Sequence, residues 1–388
     1  MSKAGKISVF HVLHHLYIGG MENGVVNLIN NLPDDRFEHT VVCVEDFSDF
    51  RQRIVNPQVQ VLAMHRSRIG TWPLRRQLYQ LFASRRPSIV HSRNMSGLDA
   101  LLPARLAGVP TLHSEHGFDV DNLDGKARKP IWLRRLHAPL VKRYVTVSRN
   151  LQDLLVKDVG IAPSRIRQIY NGVDTDRFKP AAQRPLDLLP AGFAGPDAFI
   201  IGTVGRAQAI KDQATLIQAF AALRATRLDQ ADRLRLLIVG DGPKLASLRE
   251  LAASLGVGDQ VWLPGARQDV ARLLQTCHLF VLPSLNEGIS NTLLEAMSTG
   301  LPALATAVGG NVELVDDGVV GHTFTPGDVN GLAGLMGSYL AQAGKARAQG
   351  QAAREYVLQK FSLKSMVAAY ADTYQQLEDS HVRHHRSH

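Results

Sequence analysis

Short apolar, β-branched runs alternate with longer helical patterns almost from end to end of the chain. Residues 7–13, 39–44, 59–64, 88–91, 111–114 and 144–147 read as strands, with helical stretches at 22–31, 74–84 and 98–107 between several of them. The rhythm restarts with strands at 199–204, 234–239, 261–263, 279–282 and 303–305, and helices at 213–225, 244–255, 270–276, 291–298 and 331–342. Near-continuous apolar strands separated by helices predict parallel sheets covered on both faces. Two such series predict two doubly wound α/β domains. Ligands of open parallel sheets bind beyond the carboxyl ends of the strands, so two facing domains place a cleft between them.

The length of 388 residues accommodates two domains. Residues 180–196, rich in Pro, Ala, Gly and Leu and without a clear period, read as the join. We therefore expect a first domain over 1–180, a linker over 181–198 and a second domain over 199–363. The polar, basic end from Ser380, with His384 and His385, reads as a frayed tail over 380–388. Cys43 and Cys277 lie in apolar segments, too few for a disulfide scaffold, and read as small buried hydrophobes. Ile7 follows a short polar start with no apolar signal region, and no apolar run reaches the roughly 18 residues of a membrane span. The expectation is a cytoplasmic protein.

Charge divides the chain unevenly. Residues 1–180 hold 26 Lys+Arg against 16 Asp+Glu, a net of +10, whereas the remainder holds 18 against 19, a net of −1. Between Arg51 and Arg93 there are nine arginines and no acidic residue. Such a field attracts polyanions or an anionic membrane surface. No nucleic-acid-binding module signature accompanies the arginines, so no nucleic-acid partner is expected.

The second half carries the more informative chemistry. After the strand ending at Leu282 come Glu287-Gly288-Ile289-Ser290-Asn291-Thr292-Leu293-Leu294-Glu295. Ser290 or Asn291 suits a helix N-cap, and the open N–H groups of a first turn hold phosphate. Carboxylates accept hydrogen bonds from vicinal hydroxyls, so Glu287 in the loop and Glu295 on the helix suit sugar on either side of a phosphate, unless Glu295 is only a charge near the helix start stabilised by the dipole. Gly202-Thr203-Val204-Gly205-Arg206 and then Lys211 place two cations after another strand, either able to neutralise a leaving diphosphate or simply surface charges on a loop. Gly240-Asp241-Gly242-Pro243 reads first as a tight turn with Pro opening a helix. Gly309-Gly310-Asn311 either contacts a sugar or only makes its turn.

In the first half, Gly19-Gly20-Met21-Glu22 precedes a helix, where paired glycines either allow backbone approach to an anion or make a turn. His113-Ser114-Glu115-His116-Gly117 ends a strand, and His116 could reach a reacting sugar. Its spacing is not that of a zinc helix, and His11, His14 and His15 form no ligand set of helical spacing, so no metal is expected. Asn171-Gly172-Val173-Asp174 reads as a turn. The phosphate loop of the NTPases, the full dinucleotide fingerprint and the hydrolase nucleophile elbow are all missing.

Taken together these segments resemble a GT-B-fold retaining glycosyltransferase of family 4, over nearly the whole chain. Those that carry the resemblance are Gly19 to Glu22, His116-Gly117, Val147-Ser148, Asn171 to Asp174 with Arg177-Phe178, Gly205-Arg206 with Lys211, Gly240 to Pro243, and Glu287 to Glu295. The resemblance implies two Rossmann-like domains, the first binding the acceptor and the second the nucleotide sugar. It implies that Arg206 and Lys211 hold the diphosphate and that Glu295 binds the ribose. Glu287, with the backbone of Gly288, Ile289, Ser290 and Asn291, would hold donor sugar and phosphate. His116 would lie by the reacting sugar and Gly20 near the phosphate. It further implies a UDP- or GDP-sugar donor, no metal or other cofactor, and front-face transfer in which the leaving phosphate takes the acceptor's proton. A last helix over 364–379 would cross back onto the first domain. Where relatives often have Lys-Gly, this chain has Lys211-Asp212.

A glycan or lipid-linked acceptor fits the basic first half, including Arg75-Arg76 after Trp72, and suggests exopolysaccharide or cell-surface polysaccharide synthesis at the inner face of a membrane. The alternatives are a GT-B nucleotide-sugar epimerase, which would need no acceptor, and a non-catalytic nucleotide-sugar-binding protein. The presence of Arg206, Lys211, Glu287 and Glu295 together argues against the latter.

Overall fold

The computed structural model describes residues 5–117 and 127–386, and side chains up to residue 383. The chain divides into two compact units, Met1–Gly172 with Leu363–His388, and Val173–Ser362.

The first unit is built on strands β1 (Ile7–Leu13), β2 (Phe37–Cys43), β3 (Gln60–Ala63), β4 (Ile89–Arg93), β5 (Thr111–Glu115), β6 (Arg143–Thr146) and β7 (Ile166–Gln168). All pair in parallel in the order β3-β2-β1-β4-β5-β6-β7. Leu74, Leu78 and Phe82 of helix Thr71–Arg85 pack with Phe10, Val12 and Val90. In a separate cluster Met366, Val367, Tyr370, Tyr374 and Leu377 pack with Val9, Phe37, Ile89 and Leu112. These last residues belong to helix Leu363–Arg386, so the far end of the chain completes the core of the first unit. The helix runs through Ser380 to Arg386 where a frayed tail was expected, because its seam of Met366, Tyr370, Tyr374 and Leu377 anchors it to that core. The side chains of His384 and His385 lie outside the described ones.

The second unit repeats the plan with β8 (Phe199–Val204), β9 (Leu234–Val239), β10 (Val261–Gly265), β11 (Leu279–Leu282), β12 (Ala303–Thr306) and β13 (Gly321–Phe324). Their order is β10-β9-β8-β11-β12-β13, again all parallel. In both sheets the order reverses direction at one place, between β1 and β4 and between β8 and β11. The loops after those strands diverge there and leave a crevice.

Two boundaries differ from expectation. The division falls at Gly172/Val173, where the Val173 N–H donates to Phe361 O at 2.9 Å. Residues 181–198 are not a free linker: Leu189, Phe193 and Ala198 are buried, and the Phe193 ring lies 6.1 Å from that of Trp262. Three apolar side chains are enough to hold an irregular segment against the second unit. Both cysteines are buried, and burial pushes each thiol up to about 12, so neither is a reactive group at neutral pH.

Candidate active site

In the second unit the predicted residues gather at the crevice between β8 and β11. Arg206 is exposed just after β8. Lys211 ends the single turn Ala209–Lys211, and its Nζ lies 2.5 Å from Glu287 Oε1, in the loop after β11. The same carboxylate oxygen accepts from Ser284 Oγ at 2.7 Å. Backbone bonds join the two loops and hold this pair in place. The Leu285 N–H donates to Ile210 O at 2.8 Å, and Gly310 N–H to Glu287 O at 3.1 Å. Gln213 Nε2 adds a bond to Arg206 O at 3.1 Å.

Ser290 caps helix Asn291–Ser298, its Oγ accepting the Leu293 N–H at 3.3 Å. No acidic side chain occupies the first turn of that helix, so its positive end is not neutralised from within. Gly288 and Ile289 connect Glu287 to the cap, and half-buried Glu295 sits on the helix one turn in. Cations, a helix end and two carboxylates thus lie within one loop–helix segment and its neighbouring loop.

The glycines near this segment act as abutments. A Cβ on Gly309 would stand 1.9 Å from Glu287 O, and one on Gly310 1.9 Å from Gly288 O. Their role is to let the β12 loop press against the Glu287 loop. Gly202 lies within β8 rather than after it, where a side chain would meet Cys277 Sγ. At Asp212, where relatives often have Gly, φ is +43°, a left-handed conformation that glycine takes freely. Aspartate holds it here with its own bond, Oδ2 accepting from Thr215 Oγ1 at 2.7 Å.

In the first unit, Gly20 opens helix Gly20–Asn31 after β1, and His116 follows β5. Asn94, which sequence reasoning missed, links the neighbouring loops. It follows β4 with φ +50°, accepts the His116 N–H at 2.8 Å, and its Nδ2 lies 3.7 Å from Met21 Sδ. An asparagine directly after a strand was the available signal, since Asn tolerates this backbone region best after Gly.

His116 is half-buried, and burial, reinforced by the Arg93 charge, lowers its pKa to about 3. It is therefore neutral throughout the physiological range. Of the three histidines read at the first strand, only His11 lies within β1, whereas His14 and His15 follow it with their rings 5.1 Å apart. His11 is fully buried, while His15 stacks on Tyr17 at 4.5 Å and lies 3.5 Å from Glu22. On the opposite face from His116, Glu115 takes Arg134 at 2.6 and 2.9 Å and His113 at 3.3 Å. Burial would raise that carboxyl, but the Arg134 guanidinium and these bonds hold it well below the usual range.

The basic run is partly consumed by the fold. Arg93 is buried, and Arg75 and Arg66 flank Asp99 at 2.9 and 3.3 Å. Among the described residues no helix is long and apolar enough to cross a membrane.

Comparison with known proteins bears on the family and the fold. Residues 18–177 match the Glycosyltransferase Family 4 model and residues 191–356 the Glycosyl transferases group 1 model. The chain is 28% identical over 338 residues to a UDP-Gal:alpha-D-GlcNAc-diphosphoundecaprenol alpha-1,3-galactosyltransferase of Escherichia coli, covering 85% of this chain and 87% of that protein. It is 34% identical over 251 residues to a D-inositol 3-phosphate glycosyltransferase of Stackebrandtia nassauensis, covering 59% and 55% respectively. Its fold matches HepE of Anabaena, solved with UDP and glucose, with a TM-score of 0.82 at 20% identity over 95% of this chain and 100% of that one. With a family 4 half followed by a group 1 half, the chain belongs to the GT-B glycosyltransferases of family 4.

Proposed function

We propose that this glycosyltransferase moves a hexose, with retention, from a UDP- or GDP-sugar to a lipid-linked or glycan acceptor in cell-surface polysaccharide synthesis. The observation that carries the reading is the Lys211–Glu287 pair, which joins the loop after β8, where Arg206 also lies, to the loop before helix Asn291–Ser298. In this reading Arg206, Lys211 and the helix end hold the diphosphate, Glu295 the ribose, and Glu287 with Gly288 to Asn291 the sugar. His116 belongs at the reacting sugar and Gly20 at the phosphate. Catalysis then rests on fixed positive charge that stabilises the departing diphosphate, which takes the acceptor's proton. These cations fill the place a metal takes in other transferases, so turnover should persist in EDTA.

The lipid-linked acceptor draws support from the galactosyltransferase of Escherichia coli, whose acceptor is an alpha-D-GlcNAc-diphosphoundecaprenol. A surface suited to an anionic membrane is also present. Helix Arg128–His137 presents Arg128, Lys129, Trp132, Arg135 and Leu136 to solvent, and Trp132 is 60% exposed. Trp72, 74% exposed, carries the Arg75 guanidinium 5.5 Å from its ring. Aromatic side chains among cations suit a headgroup layer.

The decisive test is a thermal-shift screen of UDP-, GDP- and ADP-sugars, followed by mass spectrometry of products with lipid-diphosphate-linked acceptors. A stabilising donor and a mass gain of one hexose on the acceptor are expected. Donor consumption without any acceptor product would overturn the transferase reading in favour of an epimerase. Flotation with anionic and neutral vesicles tests the membrane surface.

A further inference from the structure

On one face of the first sheet lies a polar chain that ends at His116. Parallel register sets it up. His11 of β1 sits opposite His91 of β4, and Arg93 of β4 opposite Ser114 of β5. Side chains two residues apart share a face, so His91 with Arg93 and Ser114 with His116 fall together. Tyr374 of helix Leu363–Arg386 covers them.

The bonds are continuous. Arg93 NH2 lies 3.0 Å from His91 Nδ1 and 3.0 Å from His11 Nδ1. Tyr374 hydrogen-bonds Arg93, and its hydroxyl lies 2.8 Å from His91 Nδ1. His91 Nε2 lies 3.0 Å from Ser114 Oγ, and Ser114 Oγ 2.8 Å from His116 Nε2. On the other branch His11 Nε2 lies 3.0 Å from His39 Nδ1.

A guanidinium only donates, and this fixes the direction of every bond after it. His91 Nδ1 must accept, so His91 is neutral and protonated on Nε2. That N–H donates to Ser114 Oγ. Among the described residues Ser114 Oγ has no third partner, so its hydrogen goes to His116 Nε2. His116 Nε2 is then an acceptor, and its proton sits on Nδ1. By the same rule His11 accepts on Nδ1 and donates from Nε2 to His39.

We propose that Arg93 is a positioning residue that, through His91 and Ser114, holds His116 as its Nδ1–H tautomer, so that His116 acts on the donor sugar only as a hydrogen-bond donor and never as a base. This rests on the reading that places His116 at the reacting sugar. Its consequence for that reading is specific. The acceptor's proton cannot go to His116, because Nε2 is occupied by Ser114 and Nδ1 already carries hydrogen. A sugar oxygen, by contrast, finds a fixed donor there.

The test is nitrogen-15 NMR of the histidine side chains in the full-length protein, with His116 identified by its loss in His116→Gln. The expected spectrum shows His116 at neutral pH in one form, protonated on Nδ1. In Ser114→Ala, a small change at a buried site, the Nε2-protonated form should appear. There kcat should fall about tenfold, the equivalent of one hydrogen bond, with little change in donor KM. Arg93→Met should release the tautomer in the same way, and where that variant does not fold, Ser114→Ala carries the test alone. A wild-type His116 protonated on Nε2 or on both nitrogens, or a tautomer that ignores Ser114→Ala, overturns the inference. Full turnover in His116→Gln would instead remove His116 from the reaction while the spectrum still decides the tautomer.

Discussion

Strand for strand the two units follow one order, yet their polar residues lie in different places. Among the described residues every buried Arg, His, Asp and Glu belongs to the first unit: His11, Glu22, His39, His91, Arg93, Asp99, His113, Glu115 and Arg134. The polar side chains buried in the second unit are hydroxyls and amides such as Thr203, Ser284, Thr306, Asn311 and Gln349. Its cations at the crevice, Arg206 and Lys211, are not buried. The comparison separates two uses of charge. In the first unit ionisable groups are locked inside, where they orient one another. In the second they stand at the rim of the crevice, where the proposed diphosphate would meet them.

The largest expected effect lies at that rim. Replacing Arg206 or Lys211 by Ala should lower turnover about 100- to 1000-fold, the scale for removing one fixed donor to a developing charge. The donor-induced thermal shift should vanish while far-UV circular dichroism is unchanged. Retained turnover in both variants would erase the contrast between the units.

Acid should strike the first unit next. Its buried histidines and the half-buried His116 are held neutral chiefly by desolvation: His11 and His91 well below the ordinary value, His39 at about 4 and His116 at about 3. Because the folded pKa lies below the unfolded value of about 6.5, the unfolded chain takes up more protons as pH falls. Stability is therefore full above pH 6.5 and is lost as pH drops from there toward 4. The slope reaches about 1.4 kcal/mol per pH unit for each fully buried histidine. In the second unit His278 is the counterpart, lowered to about 4 by burial. Hydrogen exchange between pH 7 and 4.5 should show the first unit opening first, and simultaneous loss of both would break the comparison.

A smaller effect is expected from Tyr374→Phe, which removes the hydroxyl bonded to His91 and Arg93 but leaves Arg93 on His91. About 1 kcal/mol should be lost, read as a melting-temperature drop of a few degrees. The smallest belongs to Asp212→Gly. It relieves a left-handed aspartate but forfeits the Thr215 bond, so stability by denaturant titration should change by less than about 1 kcal/mol.

The sequence made the crevice residues of the second unit legible because they are local. Glu287, Ser290 and Glu295 fall within one strand–loop–helix segment, and Arg206 and Lys211 within another. What brings Lys211 to Glu287 is the adjacency of β8 and β11, and strand order leaves no mark along the chain. The Arg93 face was illegible for the same reason, since it needs the register of β1, β4 and β5 and a tyrosine 283 residues from His91. Strands β7 and β13 went unread because Ile166–Gln168 and Gly321–Phe324 are short edges without an apolar run. Helix Ala343–Lys360 escaped because it packs with Ala346, Gly350 and Ala353, small residues that give little hydrophobic contrast. Cations were legible as residues, but that Arg93 is interior and Arg128 exterior was not.

The helix Leu363–Arg386 has a consequence during synthesis. Most of the first unit is translated first, but Tyr370, Tyr374 and Leu377, which close its core, come after the whole second unit. About 190 residues separate the two parts, which at ribosomal speed means roughly 10 to 40 s. Through that interval the histidine–arginine face is without its cover, while the second unit, continuous in sequence, emerges whole and can fold at once. The first unit, although most of it is translated first, can thus close its core only after the second unit has been made.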